Sequence, residues 1–76
     1  MEGRVTIVNS HNSYDRAYEA LKASAIPDLR GLRLEEVEGS LVISGRVGSF
    51  YHKQLAQELV RSVARERELV NTVDVD

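Results

Sequence analysis

Residues 32–47, LRLEEVEGSLVISGRV, read as a β-hairpin, and a hairpin placed mid-chain leaves few folds open to what surrounds it. Leu32 and Leu34 alternate with Arg33 and Glu35 before Glu38, Gly39 and Ser40 supply a turn. Leu41, Ile43 and Val47 then alternate with Val42, Ser44 and Arg46. Gly39 offers the positive φ that a tight turn needs. The first strand has one irregularity. Strict alternation places Glu36 inward and Val37 outward, so a β-bulge near Glu36 is expected to return Val37 to the core side.

Helical spacing flanks the hairpin on both sides. Tyr14, Ala17, Tyr18, Leu21 and Ala25 form one apolar face, which predicts a helix over residues 13–25. Asn12 or Ser13 is its expected N-cap, Asp15 suits its first turn, and Pro27 ends it. Residues 28–31 read as a short link. Beyond the hairpin, Ser49 is an expected N-cap for a second helix over residues 50–65, with Tyr51, Leu55, Leu59 and Val63 recurring every fourth residue. Ala56 and Val60 widen that stripe, while Gln54, Glu58, Arg61 and Arg65 face water and Glu58 is spaced to pair with Arg61. Leu69, Val73 and Val75 share a parity that predicts a third strand over residues 69–75.

The expected order is α-β-β-α-β, an α+β two-layer sandwich. Its three-stranded mixed sheet carries both helices on one face, because the crossover from the second strand to the third makes those two parallel. Residues 13–76 form this single domain. Residues 1–12, where Val5, Ile7 and Val8 cluster, read as an N-terminal tail or a short edge strand.

A chain of 76 residues buries only about 60% of its unfolded surface, so its stability is modest. Its 42% hydrophobic and 29% charged content is that of a globular domain rather than a disordered one. A net charge of −2 gives no overall pull toward nucleic acid or an anionic membrane. Cysteine is absent, which excludes a disulfide frame and thiolate metal sites. No apolar run is long enough for a membrane span or a signal peptide, so the chain reads as a cytoplasmic protein or an excised mature domain.

Three pieces, in order, resemble the BON domain, the bacterial osmotically-inducible and nodulation module. The Glu38-Gly39 turn and the following Leu41-Val42-Ile43-Ser44-Gly45-Arg46-Val47 resemble the family's glycine turn and its apolar-x-leucine-serine-glycine-x-valine strand. Ser49, Lys53 and Ala56 resemble the start of its second helix, and Val70-Asn71-Thr72-Val73-Asp74-Val75 resembles its closing strand. The resemblance covers residues 13–75. It departs at Arg65-Glu66, where the family commonly places a Gly-Val pair. It implies a non-enzymatic module without cofactor that contacts phospholipid membranes or envelope components, in the periplasm or cell envelope.

The expected lipid- or anion-binding residues are Arg46, Gly48, Ser49, Phe50, Tyr51, His52 and Lys53. A helix N-terminus suits a phosphate, basic side chains add charge, and Phe50 suits lipid tails. The plainer expectation for the same stretch is that glycines shape a turn, Ser49 caps the helix and Phe50 acts as a hydrophobic staple. Tyr14 and Tyr18, one turn apart, are expected to face the core rather than an interface. His11 and His52 have no metal-ligand spacing, and the acidic run at residues 35–38 reads as a charged edge that discourages strand pairing.

The alternative function is a protein-interaction or assembly domain, with a protein partner or second copy on the open sheet face around Val42 and Val70. The Gly45-Arg46-Val47-Gly48 segment also has the form of a GxxG loop of RNA-binding KH domains. Here it follows a strand in a net acidic chain, which argues against nucleic acid. No paired acid, base or nucleophile marks a catalytic or metal site.

Overall fold

A computed structural model describes residues 3–76, with side chains from Ser13 onward. The chain runs α1 (Gly3–Lys22), α2 (Pro27–Arg30), β1 (Arg33–Val37), β2 (Ser40–Ser44), β3 (Arg46–Val47), α3 (Phe50–Val63), β4 (Leu69–Asn71) and β5 (Asp74–Val75). It is an α+β domain whose main sheet is three-stranded and mixed, in the order β1-β2-β4. Alternate strand residues Leu34, Leu41, Ile43 and Val47 point into one core with Ala17 and Leu21 of α1 and Ala56 and Val60 of α3. Leu29 joins them from α2, a single turn that starts with Pro27, a residue suited to a first helical position.

The first helix departs from expectation at both ends, and at its C-terminal end it stops at Lys22 rather than at Ala25, which is exposed beyond it. The tail or edge strand expected over residues 1–12 is replaced by helix from Gly3 onward, while residues 1 and 2 lie outside the described residues. No proline interrupts residues 3–22, and a helix whose second half is anchored in the core propagates one bond per added residue. Ser13 is consequently no cap. It lies inside α1, buried, with its hydroxyl accepting a hydrogen bond from Arg67 Nη1 at 2.9 Å.

The hairpin is tighter and more regular than expected. Glu38 (φ 51°) and Gly39 (φ 86°) form a two-residue turn with both φ positive, which matches the twist of the flanking strands. Partners pair one to one, Leu34 with Ile43, Glu36 with Leu41 and Val37 with Ser40. The expected bulge near Glu36 is therefore absent. Val37 stays half exposed on the open face, and Glu36 keeps its place on the helix side, where it forms an ion pair with Arg67. A charge partner, rather than a backbone adjustment, resolves the irregularity. Because asparagine tolerates positive φ better than glutamate, Glu38→Asn is expected to raise stability by about 0.5–1 kcal/mol. Urea unfolding measures this, and a loss would contradict the turn assignment.

The closing strand is two short segments with one register. Leu41 pairs with Leu69 in β2–β4 and Arg46 with Asp74 in β3–β5, a separation of 28 residues in both parallel ladders. Gly45 (φ 128°) breaks the run between them, and backbone bonds carry the pairing across. Thr72 N–H donates to Ile43 O, and Asp74 N–H donates to Gly45 O, each at 2.9 Å. At the opposite margin of the sheet, the Tyr14 hydroxyl donates to Leu34 O at 2.9 Å and occupies an outward-facing carbonyl of β1.

Candidate functional site

The start of α3 is built by three segments that the sequence keeps well apart. Ser49 caps the helix as expected, its Oγ accepting from His52 N–H at 3.2 Å. Asp28, from the one-turn helix α2, reaches the same corner. Its Oδ2 accepts from Gly48 N–H at 2.8 Å and meets His52 Nδ1 at 3.0 Å. A carboxylate of the domain itself thus lies beside the segment expected to hold a phosphate. Gly48 and His52 lie together there, but they bind Asp28.

That environment lowers the Asp28 pKa below its ordinary 3.8, first through the Gly48 N–H and then through the His52 contact. A depressed carboxylate pKa contributes stability above the unfolded value, and that contribution is lost as pH falls through the folded value. Asp28→Asn is therefore expected to cost stability at pH 5 and above, with the gap to wild type narrowing as pH drops below about 4. Unfolding curves across pH 2–7 measure it, and a gap independent of pH would remove Asp28 from this role.

The other expected site residues divide. Arg46 is exposed and pairs with Asp76 at 3.1 Å, a solvent-screened contact worth little. Lys53 is half-buried, and its carbonyl accepts from Asn71 Nδ2 at 3.1 Å. Asn71 also reaches Gln57 Oε1, and Val73 N–H donates to Asn71 Oδ1, so this one side chain ties α3 to the closing strand. Phe50 and Tyr51 point outward, 73% and 67% exposed, so Tyr51 is not part of the core-facing stripe its spacing with Leu55, Leu59 and Val63 suggests. The staple role expected for Phe50 does not hold, because a ring so exposed packs on no core residue. Of the two tyrosines expected in the core, Tyr14 packs against it, whereas Tyr18 is exposed, stacked on Tyr14 with centroids 6.3 Å apart and covered by Lys22 Nζ.

The Asp28–His52 pair has the form of the orienting half of an acid–base relay. A relay also needs a nucleophile on the second ring nitrogen, and the nearby Ser49 Oγ is instead engaged by the His52 N–H. Among the described residues, no three His, Cys, Asp or Glu side chains converge as a metal site needs, and no helix is long and apolar enough to cross a membrane. His11's side chain lies outside the described residues.

Two residues that sequence reasoning passed over hold this architecture. Asp28 carries no local signal of its role, since its partners Gly48 and His52 lie 20 and 24 residues away. Arg67 donates through Nε to Gly39 O at 2.9 Å, through Nη1 to Ser13 Oγ and through Nη2 to Glu36. The inward parity of Glu36 was the one hint that a cation was required. No family model matches the chain, and no curated protein or solved structure matches it either.

Proposed function

We propose that this chain is a non-enzymatic binding module of BON type that touches phospholipid membrane surfaces through the start of α3. The observation that carries the reading is the neighbouring pair Phe50 and Tyr51, both about two-thirds exposed or more on a domain of 76 residues. Two aromatic side chains projecting from a capped helix end suit the boundary between head groups and acyl chains, where Tyr keeps a polar tip in water. The Asp28 carboxylate, bonded to Gly48 N–H just before the helix, sets a negative charge beside its N-terminus, so the rings rather than the helix N–H groups make the contact. Lys53 and His52 border the contact.

Replacing both rings, Phe50→Ser with Tyr51→Ser, is expected to weaken vesicle binding at least about tenfold while leaving stability within about 0.5 kcal/mol. NMR titration with phosphatidylglycerol and phosphatidylcholine micelles locates the contact. Shifts centred on residues 50–53 support it, and no shift with either lipid retires it.

A second reading has its own observation. Val42 lies directly beside Val70 in the parallel register, and Val37 and Val70 are 50% and 41% exposed on the face away from the helices. This small apolar patch suits a protein partner or a second copy. Sedimentation equilibrium showing self-association that is lost on Val70→Lys, without vesicle binding, favours it.

A further inference from the structure

The exposed ridge of α3 continues past the aromatic pair. Tyr51, Gln54, Glu58 and Arg61 follow three- and four-residue steps along α3, opposite the buried Ala56 and Val60, and Arg65 stands in the turn after the helix; all five are exposed. At 1.5 Å per residue, Tyr51 and Arg61 stand roughly 15 Å apart along the helix, with Arg65 just beyond its end. Arg61 and Arg65 also border an open cleft of about 380 Å³ shared with Arg67, Glu68 and Leu69.

Among the described residues, no carboxylate neutralises these two arginines. Arg16, Arg46 and Arg67 each meet a carboxylate. Among the described residues, neither Arg61 nor Arg65 does, and the expected Glu58–Arg61 pair does not form. On the opposite, open face of the sheet Glu35 stands beside Arg33, and their charges offset one another. A negatively charged plane is therefore attracted locally to the Arg61 and Arg65 end, although the net charge is −2.

We infer that Arg61 and Arg65 form a second contact, with lipid phosphates, so that α3 lies along an anionic membrane with its rings at one end and its guanidiniums at the other. The inference rests on the membrane reading given above and adds to it the lipid class and the orientation. Guanidinium groups suit phosphate because their forked N–H donors match its oxygens. Glu58, midway along the ridge, opposes the contact.

Vesicle sedimentation separates the two ends of the helix. Wild type is expected to bind phosphatidylcholine vesicles containing phosphatidylglycerol about fivefold tighter than phosphatidylcholine alone, an advantage that fades between about 0.05 and 0.5 M salt. The double variant Arg61→Glu, Arg65→Glu is expected to lose that advantage and keep its binding to phosphatidylcholine, and Arg61→Gln, Arg65→Gln to lose most of it. Glu58→Gln is expected to increase it. Thermal unfolding by circular dichroism checks that each variant folds. Unchanged phosphatidylglycerol binding in both arginine variants overturns this inference and leaves the aromatic contact standing. No sedimentation with either vesicle overturns both. NMR shifts at Arg61 and Arg65 with inorganic phosphate, without any loss of vesicle binding in the variants, overturn the membrane source of the phosphate.

Discussion

Arg67→Met is expected to destabilise the domain by about 2–3 kcal/mol, read from urea unfolding at neutral pH. Methionine keeps much of the volume but removes three donations at once. The Ser13 hydroxyl is buried, with 2% of the residue exposed, and loses the Arg67 N–H that reaches it. The Gly39 carbonyl loses a charged donor in the hairpin turn, and Glu36 is left on the helix-side face with no cation. Because the Glu36 side chain is 48% exposed, Glu36→Gln is expected to cost less, under about 1 kcal/mol. Equal small losses in the two variants would mean that the guanidinium does not hold the turn to α1.

Gly45→Ala is expected to cost about 2–4 kcal/mol, which for a domain of this size lowers Tm by on the order of 10 °C or more. Two effects act together. The backbone at Gly45 has φ 128°, a conformation that a residue with a Cβ resists. A Cβ there would also stand 2.9 Å from Leu32 Cδ2 and 3.5 Å from the Leu32 backbone. Leu32 is itself buried, so it has little room to yield. Gly39→Ala is the internal control, because its φ of 86° is also positive but no neighbouring atom lies within 4 Å of an added Cβ. It is expected to cost about 1 kcal/mol, from strain alone. Similar losses at the two glycines would show that the Leu32 contact is easily relieved.

The elements legible in the sequence were those specified by neighbours close along the chain. The hairpin follows from alternation and Gly39, and α3 from the four-residue recurrence behind Ser49. The parallel closing strand follows from the handedness of the crossover. What escaped depends on partners far away. Val5, Ile7 and Val8 favour strand locally, yet the chain there continues a helix whose anchored half starts at Ser13. A bulge was the local remedy for Glu36, while the actual remedy is Arg67, 31 residues on. The candidate site was legible as a stretch but not as chemistry. Glycine, serine and a helix start are what a phosphate needs, and they are equally what Asp28 needs. Only the fold shows that the carboxylate is already there and that the adjacent rings face outward.

The shared register of the two parallel ladders bears on how quickly the domain assembles. The hairpin closes through a two-residue turn, so its pairing costs little chain entropy and forms on the microsecond scale, about 1–10 μs. Each partner in β4 and β5 lies 28 residues from its mate, with α3 between them, so neither ladder forms until that whole loop has closed. Since both ladders share one offset, closing the first sets the second, and the two lock in a single step. The late event in folding is thus the return of the closing strand, and mutations at its seam around Gly45 are expected to speed unfolding more than they slow folding.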